Sequence, residues 1–172
     1  MKLLLLFFIP GLFISNWQEY TSMEGQYRIL TPGDFVEKQD TVATAIGNLV
    51  YHTNFYQPAD ESDDNLFYMV SFCDYPEGIV FADSTDMLEE FFQNTMQTAA
   101  KSVKGKLLYS TDIHLGQHPG KYWRIDYLDG KAIIKTKAYL AGRRYYAVQT
   151  IAYKEKNINP SSEKFFDSFR VF

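Results

Sequence analysis

A single cysteine, Cys73, stands among 172 residues, so no internal disulfide framework and no cysteine-based zinc site can exist. Basic residues are outnumbered, 17 Lys and Arg against 21 Asp and Glu. The resulting net charge of −4 excludes a global electrostatic pull toward nucleic acid or anionic lipid. No internal repeat, low-complexity tract or linker rich in Pro, Gly or Ser divides the chain. A Gly-x-Ser-x-Gly elbow is absent, which removes the usual serine-hydrolase signature. The segment Gly116 to Gly120 lacks the Lys-Ser/Thr of a phosphate-binding loop and leads into a strand instead of a helix. The acidic run Asp60, Glu61, Asp63 and Asp64 lacks the ligand order of an EF-hand, so Pro58 to Asn65 reads as a solvated loop. No cofactor is expected, and no complete catalytic set is present.

What remains is rich in rings. Apolar residues make up 46% and charged residues 22%, ordinary values for a globular chain long enough to bury its own core. Aromatic residues reach 17%, with 13 Tyr and 14 Phe, and rings suit the half-buried pleated surface of a sheet. At the N-terminus, Met1-Lys2 precedes an apolar run from Leu3 to Ile14 and the polar exit Ser15-Asn16-Trp17-Gln18-Glu19. One basic residue, a short apolar core and a polar exit describe a secretory signal peptide. The run is shorter than the ~20 residues of a spanning helix. Residues 1–15 are therefore expected to be a signal peptide cleaved after Ser15, and 16–172 a single exported domain, periplasmic or secreted. No cysteine follows the run, which excludes lipid attachment.

Alternation and turn residues predict the elements. Trp17 to Tyr20 and Tyr27 to Leu30 flank a turn at Glu24-Gly25, and Val36 to Thr44 and Leu49 to Tyr56 flank another near Gly47-Asn48. Leu66 to Tyr75 is apolar on both faces, as a covered central strand would be. A helix is predicted from Ser84 to Lys101, capped by Asp83 or Ser84, with Leu88, Phe91, Phe92, Thr95 and Ala99 as its apolar stripe. Four strands follow: Lys106 to His114, Lys121 to Tyr127, Ala132 to Leu140 and Arg143 to Tyr153. Their short connections allow only antiparallel neighbours. Asn159-Pro160-Ser161 starts a last helix, on which Phe165, Phe166 and Phe169 share a docking face.

Three segments carry a family resemblance: the turn Leu115-Gly-Gln-His-Pro-Gly120, the turn and strand Tyr139-Leu-Ala-Gly-Arg-Arg-Tyr-Tyr146, and the closing Phe165-Phe-Asp-Ser-Phe169. Together they resemble small exported bacterial proteins of the PsbP/Mog-like fold, over Tyr27 to Phe169. The resemblance implies an α+β domain with a central antiparallel sheet of about six or more strands, flanked by the long helix and the C-terminal helix. Its motifs shape turns and a docking helix, and they transfer no activity.

Three groups of residues are candidate sites. Asp112 and His114 share a strand face and His118 follows in the turn, the residue types of a zinc or copper site. Gly116 and Gly120 are expected to supply positive φ in that turn, with Pro119 holding His118 extended. Lys131, Lys135, Lys137 and Tyr139 alternate on one strand face, with Arg143 and Arg144 at the next turn. Such a face is either a solvated sheet surface or a binding surface of cations and rings. Phe91, Phe92, Trp123 and Tyr146 are candidate lining residues for an aromatic pocket between helix and sheet. Cys73 is expected to be a buried small hydrophobe, not a nucleophile served by His52 or His114. The function expected first is a non-catalytic envelope protein that binds a protein partner. A small apolar-ligand carrier and a metal-binding protein are the alternatives.

Overall fold

Runs of β-branched and aromatic residues, separated by glycine turns, build most of the chain as strands. A computed structural model describes residues 17–44, 46–60, 63–79 and 84–172. The expected signal peptide, 1–15, lies outside the described residues. The elements in order are β1 (Gln18–Ser22), β2 (Tyr27–Thr31), β3 (Val36–Thr44), β4 (Gly47–Tyr56), β5 (Phe67–Asp74), α1 (Thr85–Ser102), β6 (Lys106–Leu115), β7 (His118–Tyr127), β8 (Ala132–Ala141), β9 (Arg144–Tyr153), α2 (Pro160–Ser168) and β10 (Arg170–Val171). Among the described residues the strands form a seven-stranded sheet, β3-β4-β5-β9-β8-β7-β6, and a three-stranded sheet, β1-β2-β10. Every pairing is antiparallel.

The architecture is mixed α+β with antiparallel sheets, but one sheet between two flanking helices is too simple a description. α1 lies against β6 and β7 on one face of the wide sheet. On the other face the nine-residue α2 is wedged between β9 and β2 of the small sheet. The two-residue β10 completes that small sheet, a partner too short for any sequence pattern to announce.

Alternation along the shared strands feeds two cores. One joins Tyr27, Tyr68, Phe72, Tyr146, Phe165 and Phe169 beneath the small sheet and α2. The other joins Phe92, Met96, Trp123, Ile125, Leu140 and Ala147 beneath α1. On α1 the buried residues are Phe92, Met96 and Ala100, a row at four-residue spacing. The expected stripe is therefore turned by one position, which leaves Phe91, Thr95 and Ala99 at the helix edge. Ser84 occupies the N-cap position of α1, although its side chain makes no capping hydrogen bond.

α2 starts where the Asn-Pro-Ser signal places it. The Ser162 backbone N–H donates to Asn159 Oδ1 at 2.7 Å, and Pro160 sits in the first turn. Asn159 and Asn65 exchange amide hydrogen bonds of 3.2 and 3.1 Å, and Ser162 Oγ donates to Asn65 Oδ1 at 2.8 Å. The acidic segment is thus not simply a solvated loop, because its end is clamped to the helix N-terminus.

The turn between β6 and β7 also differs from expectation. Gly116 does have positive φ, +59°, but Gly120 does not and lies within β7. A Cβ on Gly120 would meet the Ala138 carbonyl oxygen at 2.2 Å, so glycine is there for the close approach of β8.

Candidate functional site

α1 covers β6 and β7 and leaves an open groove on its other flank, over β4, β5 and β9. The groove measures about 680 Å³. Strand pairing sets Cys73 opposite Tyr145 and Ser71 opposite Ala147, so these residues share the face below α1, as does Tyr51 of β4 by alternation. From α1 the groove receives Met87, Phe91, Asn94 and Thr98, and Ile46 and Ile79 add exposed apolar surface at its margin. The Phe91 ring meets Tyr75 edge-on at 5.3 Å and Tyr145 at 5.8 Å.

The groove floor is electrically neutral. Burial pushes the Tyr51, Tyr75 and Tyr145 phenols above their ordinary range. Burial also raises the Cys73 thiol to about 11, although a hydrogen bond from Tyr51 opposes the shift. Tyr145 is only 6% exposed and lines the groove.

Of the four aromatic residues expected to line a pocket, only Phe91 does so. Phe92 and Trp123 are 1% exposed and packed in the core beneath α1. Tyr146 points to the opposite face, where its hydroxyl donates to the Gly25 carbonyl at 2.7 Å and its ring meets Phe169. The sequence reading missed Tyr51, Tyr75 and Tyr145. Alternation between adjacent Tyr145 and Tyr146 does mark them as facing opposite sides, but choosing the correct one requires knowing which face α1 covers.

The lysine face is neither a solvated surface nor an open binding surface, because α2 lands on it. Lys135 is 5% exposed, its ζ-amine lies 3.7 Å from Glu163 Oε1, and burial lowers its pKa. Lys137 Nζ donates to Asp167 Oδ1 at 3.1 Å and lies over the Phe166 ring. Tyr139 stacks on Phe169 with centroids 6.0 Å apart, and burial pushes its hydroxyl up to about 12. Arg144 grips Asp74 with two hydrogen bonds of 2.7 Å and donates to the Glu24 carbonyl, tying the β1–β2 hairpin to the wide sheet. Lys131 and Arg143 remain exposed but lie at opposite ends of β8.

The metal triad also separates. Asp112 Oδ1 lies 2.7 Å from Lys121 Nζ, which is equally close to Glu89 Oε2 of α1. This clamp and His114 line a second, smaller cavity of about 420 Å³. His118 pairs with Leu115 at the start of β7, and alternation sends it to the other face. Among the described residues no three His, Cys, Asp or Glu side chains come together as a metal site.

No protein-family model matches the chain, and no curated protein matches it. The solution structure of cyanobacterial PsbP (CyanoP) from Synechocystis sp. PCC 6803 does match, with a TM-score of 0.61 over 95% of this chain and 97% of that one. The fold is PsbP-like. At 12% identity the likeness concerns the backbone and carries no residue role.

On this PsbP-like sheet the elements of a cysteine nucleophile are kept apart. His52 stacks on Phe72 at 4.7 Å and lies 3.4 Å from Glu24 Oε2, on the face opposite Cys73. Among the described residues no helix is long and apolar enough to cross a membrane.

Proposed function

We propose that this chain is a non-catalytic protein exported to the bacterial envelope or periplasm, where it serves as an accessory module by binding a protein partner in the groove beside α1. One observation carries this reading: an open groove of about 680 Å³ with Tyr51, Tyr75 and Tyr145 among its lining residues. Apolar walls of Met87, Phe91 and Ile79 suit an aliphatic or aromatic side chain of an extended partner segment. Asn94 and Thr98 at the rim suit the polar backbone that would accompany it. The N-terminal pattern of Lys2, Leu3 to Ile14 and Ser15 supports export.

A photo-crosslinking residue at Asn94, in the native envelope, tests the proposal. It is expected to capture one reproducible protein, which a probe at Lys154 on the far side does not capture. Equal or absent capture from both positions would overturn it. Export predicts that the purified mature protein begins after Ser15; a cytoplasmic protein that still begins at Met1 would contradict it.

The carrier reading rests on the same groove, because its volume falls within the ~300–1,000 Å³ of small-molecule sites. Native mass spectrometry of the exported protein separates the two. A bound small molecule lost in a Tyr145→Phe variant supports a carrier, whereas an unliganded mass together with a crosslinked protein supports the module.

A further inference from the structure

β3 is the outer strand of the seven-stranded sheet, and among the described residues it pairs only with β4. All nine of its residues are exposed, including Val36 and Val42 at 56% and 45%. A long exposed edge with apolar residues is a template for another strand, and folded proteins normally blunt such an edge. Here the order of side chains indicates which strand would fit.

Val36, Lys38, Asp40 and Val42 share one face of β3, and Lys38 Nζ lies 2.8 Å from Asp40 Oδ2. The segment Val36-Glu-Lys-Gln-Asp-Thr-Val42 is complementary to itself when turned end for end about Gln39. We infer that β3 pairs antiparallel with β3 of a second copy of this chain, on a two-fold axis at Gln39. In that register Lys38 faces Asp40 of the second copy, Val36 faces its Val42, and Gln39 faces itself. The two intrachain ion pairs then merge into a square of alternating charges bordered by valine pairs. Opposite charges and apolar pairs directly across strands are the favourable combinations, and like charges the unfavourable ones.

Neighbouring registers lack this match. Centring on Lys38 sets lysine against lysine and valine against aspartate. Centring on Asp40 sets aspartate against aspartate and valine against lysine. A parallel in-register pairing opposes like charges at both positions. The interface is therefore isologous, the usual arrangement of closed dimers. It would join the two wide sheets into one and place both α1 grooves on the same side of it. The inference does not depend on what fills those grooves.

Charge exchange on the full chain, expressed with its own N-terminal segment, is the test. Light scattering after size exclusion is expected to show a dimer. Lys38→Asp places four carboxylates at the axis and should weaken dimerisation at least about tenfold, and Asp40→Lys should do the same with four amines. The double exchange Lys38→Asp/Asp40→Lys should restore the dimer, which no merely local effect on β3 would do. Both sites are exposed, so the thermal midpoint of the monomer should stay unchanged across the series. A Gln39→Cys variant should oxidise to a covalent dimer faster than Thr44→Cys, because only position 39 faces itself; the buried Cys73 does not compete. A wild-type chain that stays monomeric, a double variant no better than the singles, or equal crosslinking at both cysteines would each overturn the inference.

Discussion

Tyr145 and Asp74 show how single side chains in this fold divide between binding and stability. Tyr145 is buried and lines the groove, so Tyr145→Phe keeps the ring packing, removes only the hydroxyl and should change the stability of the unbound chain by less than about 1 kcal/mol. The same variant should bind the groove's occupant more weakly. Urea unfolding together with crosslinking yield checks both, and a variant destabilised by more than that would show that the hydroxyl serves the fold. Asp74 behaves in the opposite way. Its hydrogen bonds from Arg144 hold the carboxyl below its ordinary value of 3.8. Because the folded value is depressed, the stability it contributes is present above the unfolded value and is lost as pH falls through the folded one. Asp74→Asn should therefore lower the urea midpoint at neutral pH and flatten the decline below about pH 4. The Asp74 side chain is 38% exposed, so solvent screens the pair and the effect is smaller than burial would give.

At the scale of elements, the two glycines around the β6–β7 turn separate backbone strain from steric crowding. Gly116 has positive φ and open space around it, so Gly116→Ala should cost about 1–2 kcal/mol. Gly120 has no such φ but faces the Ala138 carbonyl oxygen, and Gly120→Ala should cost about 3 kcal/mol by forcing β7 from β8. Chemical denaturation of both variants checks the order, and the reverse order would show that the sheet opens easily at that point. The same contrast explains what the sequence makes legible. Alternation and turn residues expose the hairpins, the meander and both helices, because those signals are local. Which helix face is buried, and which sheet face it covers, depends on contacts distant in sequence. That is why Met96 and Tyr145 went unseen while Tyr146 and Trp123 were assigned to the wrong surroundings. Lys135 and Tyr139 read as an open face for the same reason: no local pattern reveals that α2 returns to cover them.

Across the whole molecule, the aromatic content that points to sheets also sets the response to alkali. Burial raises the phenols of Tyr27, Tyr51 and Tyr145 well above the ordinary range and those of Tyr68 and Tyr139 to about 12. The folded values exceed the unfolded one, so this stability is fully present below about pH 10 and lost as pH rises through the folded values. Unfolding and the part of the tyrosinate absorbance that comes from these buried phenols should therefore rise together between about pH 10 and 12 in one cooperative step. Separate transitions would mean that the phenols ionise within the folded chain.

β10 pairs with β2, and the Phe172 backbone N–H donates to the Gln26 carbonyl at 3.1 Å. Strands far apart in sequence thus close the small sheet together, and the Tyr27 core is complete only once Phe165 and Phe169 have joined it. Until then the β1–β2 hairpin has one flank of β2 open. A tag fused after Phe172 would press on that closing seam, whereas the same tag in an exposed turn would leave it free.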